Sequence, residues 1–313
     1  MALSRPPRSA RRIRPSRIAA IAGLCVVALD LGARARAAEP PILVTECEVT
    51  IPKGATGILQ SDLSCTPGTS EYRFRLEKNA TLDLNGHTIT NGQVDCRRGA
   101  CRVLGPGTLT GVLPMPLGPE FAIQVRDARL DVRDVEIRDN HDGIRGDQFD
   151  SVVHATNTII EGNGFYGIYA GKVKLRNVEI VDNGALGIGH PLLVAGVVAS
   201  RGVSGRDIVA SGNAEGGLQY GFPSGGRLLR LTAIGNTGPG VYAGGRAVRI
   251  IDSVVTGNTR DGEPVDIRAF QHPSLSNTTC GTSASVLLDP PGNDDLGPPW
   301  GVCTDDGAKS ARR

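Results

Sequence analysis

The sequence predicts an all-β chain wound as a right-handed parallel β-helix, and three observations predict it. An asparagine recurs at positions 140, 163, 183, 213, 236 and 258, at spacings of 23, 20, 30, 23 and 22 residues. Apolar residues precede it in two pairs, with a step of two inside a pair and three between pairs. Leu130, Val132, Val135 and Ile137 lead to Asn140, and Val173, Leu175, Val178 and Ile180 lead to Asn183. A glycine follows at Gly143, Gly167, Gly187, Gly217, Gly240 and Gly262, and in five copies an apolar residue comes next: Ile144, Ile168, Ile188, Leu218 and Val241. The copies at Asn213 and Asn258 match less well upstream.

A step of two is strand alternation, and the step of three marks a bend. Each copy therefore gives two short strands, a turn at Asn, and a third strand after Gly. Three strands in about 22 residues leave no room for a crossover helix, so successive coils pair in parallel. Asn side chains stacked at one corner can bond to one another along the axis, and Asn and Gly tolerate the left-handed backbone of such corners. Residues 82–89 (LDLNGHTI) and 103–109 (VLGPGTL) are weaker copies, so residues 80–270 form roughly eight coils.

The chain begins with an export pattern. Residues 1–37 hold eight Arg and one Asp; residues 18–29 are apolar, and Ala35-Arg36-Ala37 offers a small-x-small cleavage site. That reads as a signal peptide, with an apolar run short of the roughly 20 residues that a bilayer requires. The remainder carries 26 basic and 31 acidic residues, which argues against a nucleic-acid partner. No later run is long enough to span a membrane, and the expected location is secreted or periplasmic. Six cysteines remain, and six allow 15 pairings. The local one is Cys47–Cys65, Cys96–Cys101 and Cys280–Cys303. No C-x-x-C pair or His cluster suggests zinc. Residues 38–79 and 271–313 are expected to cap the open ends of the coil, with Trp300 over the last turn.

The run LQSDLSC at 59–65, ATLDLNGHTI at 80–89 and the N-x-x-x-G-I/V coils resemble secreted right-handed β-helix repeat proteins of the broad pectin-lyase-like fold. The resemblance covers about residues 43–270 and implies the fold. Members include polysaccharide lyases, glycoside hydrolases, uronate epimerases and adhesins, so the chemistry stays open. The tripeptides N-T-D, G-H-G and R-I-K of polygalacturonase-like hydrolases are absent, as is G-D-D. No catalytic residue carries over.

On the strand after Gly, the residue following the apolar one should face out. That column reads Arg145, Tyr169, Gly189, Gln219 and Tyr242, with His190 and Tyr220 at the next position. Tyr rings on a flat sheet can stack on sugars while polar neighbours take hydroxyls. The expected ligand residues are thus Arg145, Tyr169, Gln219, Tyr220 and Tyr242, with a polysaccharide or cell-surface glycan as partner. Residues 112–120 and 190–205 are expected to protrude as walls. The alternative is a Ca²⁺-dependent polysaccharide lyase or uronate epimerase. Asp142, Asp147 and Asp150 would then hold calcium, and Arg145, Tyr169 or His190 would act as the base.

Overall fold

Apolar pairs one coil apart meet in parallel register, and this builds the molecule. The computed structural model describes residues 40–66, 73–112, 121–147, 149–185, 195–221, 225–286 and 297–306; the expected signal segment lies outside them. All the described residues fall within one unit, Glu39–Arg313. Their strands form a 26-stranded sheet coiled on itself, with one antiparallel pair, Thr259–Arg260 with Glu263–Pro264, standing apart. This is a parallel β-helix with three faces.

On the first face, the strand following each ladder asparagine stacks on its counterpart. Its inward column runs Phe74, Val94, Ile123, Ile144, Ile168, Val197, Leu218, Val241 and Ile267. On the third face the inward column runs Ile89, Leu109, Ile137, Ile160, Ile180, Ala210, Ala233, Val255 and Cys280. All of these are buried. Each large aliphatic side chain so placed contributes about 1.5–3 kcal/mol, which lets a core with few aromatics hold.

The bend between the two strands that precede each asparagine falls where the three-residue step placed it. Asp134, Asn157, Asn177, Asp207, Arg230, Asp252 and Asn277 occupy that corner with φ between 48° and 58°. The second left-handed corner differs from expectation. It sits on the residue before each ladder asparagine (Asp139, Gly162, Asp182, Gly212, Gly235 and Gly257), while the asparagines themselves keep ordinary φ. Asp and Gly take that conformation at low cost, and the asparagine then turns its amide inward.

Those six amides form a continuous buried relay. Nδ2 of Asn140, Asn163, Asn183, Asn213 and Asn236 each donates to Oδ1 of the next asparagine, at 3.1, 2.8, 3.0, 3.0 and 2.7 Å. The same Oδ1 accepts the backbone N–H of the preceding asparagine. Asn258 ends the run by donating to Asp266 Oδ1 at 2.9 Å. Asp266 Oδ2 then accepts the N–H groups of Gly281 and Thr282, both at 2.9 Å. A carboxylate suits this position because all its lone pairs accept and nothing remains to donate.

Parallel stacking extends beyond residues 80–270. Strands Val49–Ile51 and Arg73–Leu76 lie in the N-terminal segment expected to be a cap, and Ser283–Ser285 lies in the C-terminal one; all join the first face. Between them are the eight rungs beginning at Gln93, Phe121, Asp142, Ile168, Val197, Leu218, Val241 and Ile267, so the expected coil number holds. Residues 197–199 are likewise a rung (Val197–Ala199) and not part of a protruding loop; residues 113–120 and 186–194 lie outside the described residues. The three disulfides pair as the local scheme has them. Cys280–Cys303 holds residues 297–306 over the last rung, where Pro298 O accepts the N–H of Ser285 and Trp300 Nε1 donates to Ala269 O at 3.2 Å.

Two predictions follow from the relay. Asn183→Ala removes five side-chain bonds; it leaves the buried Asn163 N–H without its acceptor and takes one of two donors from Asn213 Oδ1. It should cost roughly 3 kcal/mol or more in urea denaturation, whereas Asn157→Gly, which removes the exposed corner amide without straining its left-handed backbone, should cost under about 1 kcal/mol. Asp266→Asn keeps the shape but turns an NH₂ toward two N–H donors or toward Asn258. Its cost should be about 2–4 kcal/mol, and an unchanged unfolding midpoint would contradict the terminal role given to this carboxylate.

Candidate functional site

Strand pairing defines the outward column of the first face. It runs Asp95, Gln124, Arg145, Tyr169, Val198, Gln219, Tyr242, Arg268 and Ala284. Arg145, Tyr169, Gln219 and Tyr242 therefore share one face, as the sequence suggests. Their spacing is one per rung, about 4.8 Å.

Counting a fixed distance from the asparagine misassigned one member and missed another. Val198 occupies the place given to Gly189, because extra residues after Asn183 delay the strand to Val197–Ala199. Gly196 therefore does the job assigned to Gly187, lying against the Asn213 amide where a Cβ would come within 2.9 Å. Gly189 and His190 lie outside the described residues. Likewise the hairpin Thr259–Pro264 postpones the next rung to Ile267–Ala269, so Gly262 belongs to that hairpin and Arg268 enters the column. Arg268 is 1% exposed, and its guanidinium sits 5.5 Å from the centre of the Tyr242 ring.

Tyr220 is a correction. Strand alternation sends Leu218 in, Gln219 out and Tyr220 in again. The Tyr220 ring is fully buried in the core between Ala199 and Ala243, whose small side chains make room for it. Burial drives its hydroxyl far above the ordinary tyrosine range. It is a packing residue and does not face a ligand on this surface.

Around Arg145 the column thickens into a cluster. Asp142 is fully buried and accepts from Arg145 Nη1 at 2.9 Å and from the Tyr166 N–H at 3.4 Å. His141 Nδ1 lies 3.6 Å from its other side. Burial holds the Asp142 carboxyl above the usual carboxylate range, against the opposing pull of Arg145 and His141. Arg145 in turn lies 6.0 Å from the Tyr169 ring centre. Tyr169 packs on Tyr166 with centroids 5.0 Å apart, and Phe165 lies 4.6 Å from His141. Burial, with the Asp142 charge, pushes the Tyr166 hydroxyl up, so this phenol stays protonated and can donate but does not act as a base near neutral pH. Sequence reasoning passed over Phe165. It follows the ladder asparagine, where the pattern predicted only a turn.

The acids expected to hold calcium are not brought together. Asp142 is committed to Arg145, Asp147 is exposed and accepts the Asp127 N–H at 3.1 Å, and Asp150 is exposed opposite Arg201 at 3.8 Å. Among the described residues, no group of three or more His, Cys, Asp or Glu is arranged around a common metal position. The geometry instead gives a strip of aromatic rings braced by arginines and flanked by amides. No helix among the described residues is long and apolar enough to cross a membrane. No family model matches the chain, and no curated protein matches it either.

The raised Asp142 pKa has a sign that can be checked. A carboxyl that holds its proton more tightly when folded adds stability below its unfolded pKa of about 4. That contribution is lost as pH rises through the higher folded value. The stability of the protein relative to Asp142→Asn should therefore fall as pH increases from about 4, then level off. Urea midpoints of both proteins across that range check it; a difference that grows with pH would reverse the assignment.

Proposed function

We propose that this is an exported β-helix protein, related in type to the pectin-lyase-like fold, that binds a polysaccharide or cell-surface glycan along the outward column of its first face. The observation carrying the proposal is the registered series Arg145, Tyr169, Val198, Gln219, Tyr242 and Arg268. Tyr169 and Tyr242 stand three rungs apart, about 14 Å at 4.8 Å per rung, a span suited to an extended chain of sugars. Each ring is held by an arginine, which reduces the side-chain entropy lost when a ligand stacks on it. Buried Gln219 between them offers an amide whose Oε1 makes no hydrogen bond among the described residues, an acceptor suited to a sugar hydroxyl.

The export pattern, with three disulfides, fits an oxidising compartment where such glycans occur. Binding is preferred to the calcium-dependent elimination reading because Asp142, Asp147 and Asp150 are engaged by different partners.

The test is a glycan-binding titration of the mature chain and of a Tyr169→Ala, Tyr242→Ala double variant. Each stacked ring is worth about 0.5–1.5 kcal/mol beyond its buried area, so affinity should fall about tenfold to a hundredfold. Both side chains point outward but are half-buried, so the unfolding midpoint of the double variant is read beside its binding. Equal binding by both proteins would remove this face from the reading.

A further inference from the structure

The N-terminal end of the same face carries a polar group that glycan stacking does not explain. Strands Arg73–Leu76, Gln93–Leu104 and Phe121–Arg133 lie side by side, with Arg73 opposite Gln93, Asp95 opposite Gln124 and Arg97 opposite Arg126. Alternation turns all six of these side chains outward. At the centre is Asp95, fully buried. Arg97 engages its Oδ2 with Nε at 2.7 Å and Nη2 at 2.6 Å. Arg73 lies 3.8 Å from Oδ2, and Arg126 lies 3.9 Å from Oδ1. Three guanidinium groups thus surround one carboxylate, and two positive charges are left over.

The hydrogen-bond inventory points the same way. Among the described residues, Arg73 Nε, Arg126 Nε and both side-chain atoms of Gln93 are buried with no hydrogen-bond partner, as is Asp95 Oδ1. Gln93 is 0% exposed. A buried polar atom left unmade costs about 1–3 kcal/mol, and five such atoms in one place are uncommon in a native protein. Burial and the neighbouring arginines Arg126, Arg97 and Arg75 also hold the Arg73 pKa below its usual value, against the pull of Asp95. The patch therefore lacks negative charge and acceptors in particular. A second cationic feature, an open depression of about 680 Å³ lined by Lys172, Arg201, Arg227 and Arg246, differs in kind. Its charged side chains are exposed, so water already serves them.

We propose that Arg73, Gln93 and Arg126, arranged about Asp95, form a binding site for an oxyanion of the carboxylate or sulfate type. The anion accepts from Arg73 Nε, Arg126 Nε and Gln93 Nε2, the three donors now without acceptors. Two hydroxyls on the same ligand, or one water, donate to Asp95 Oδ1 and Gln93 Oε1. Asp95 balances one guanidinium and positions Arg97, so that an anion meets a surplus of charge rather than a neutral pair. The site stands on its own orphan atoms and does not require the glycan reading.

The experiment titrates the mature protein with sodium sulfate and sodium acetate at constant ionic strength. Calorimetry is read together with the ¹⁵N resonances of the arginine Nε–H groups and the glutamine side-chain amides. Saturable binding is expected, with Arg Nε–H and glutamine amide resonances shifting, and weakening by about tenfold or more in both Arg126→Gln and Gln93→Leu. Arg126 is partly exposed, so its variant keeps the test valid if Gln93→Leu does not fold. A sulfated or carboxylated oligosaccharide and its neutral counterpart form the second arm. Competition between sulfate and the acidic oligosaccharide alone assigns the anion to a glycan; sulfate binding with no competition assigns it to a free ion. Sulfate binding with no oligosaccharide bound at all would sink the glycan reading and leave this site standing. Absence of saturable binding of either ion up to about 10 mM, or variants that bind as tightly as the unmodified protein, overturns the site.

Discussion

A primary amide carries both a donor and an acceptor, and this chain uses that property to hold a spring closed. From Asn163 onward, each ladder asparagine takes two hydrogen bonds on its oxygen from the coil before it, and its NH₂ donates in turn to the coil after it. Repetition makes the relay directional, and a directional relay needs a terminus that only accepts. Asp266 supplies it and passes the constraint to the backbone of Gly281 and Thr282. Because the amides are buried and satisfied, any shift in coil register would leave several polar groups without partners. Aliphatic stacking supplies most of the stabilisation, but it is tolerant of sliding; the relay is what penalises sliding.

That fixed register gives the surface its meaning. On a β-helix, one residue per coil is held at a constant spacing from its neighbours, so a column of side chains behaves as a rigid comb. Tyr169 and Tyr242 belong to such a comb, steadied by Arg145 and Arg268. Further along the same comb the composition changes from rings to guanidinium groups about a buried Asp95. One face thus carries aromatic rings in its middle and charge at its N-terminal end.

Much of this was legible in the linear pattern, and what was missed has a consistent cause. The bend at Asn177 and its counterparts followed from a three-residue step between apolar pairs, and the stacking of six asparagines followed from their recurrence. The outward column was legible wherever the inward aliphatic came four or five residues after the asparagine, as beside Arg145, Tyr169, Gln219 and Tyr242. It was lost where extra residues intervened, which hid Val198 and Arg268. Tyr220 was misread because a tyrosine suggested a surface role, while strict alternation beside two alanines already placed it inside. The Asp95 cluster escaped notice because the first coils lack the ladder asparagine that marked the others.

The sequence by itself determined the winding of the chain: its period, its three strands per turn, its corners and its local disulfides are all set by residues near one another along the coil. Only the tertiary structure decided which residues meet between coils. Register across a parallel pair depends on where each strand starts, and insertions change that start without changing the pattern inside the strand. The company kept by Asp95, Arg145 and Tyr242 is therefore a property of stacked coils, since side chains twenty or more residues apart become neighbours only after every intervening turn has closed.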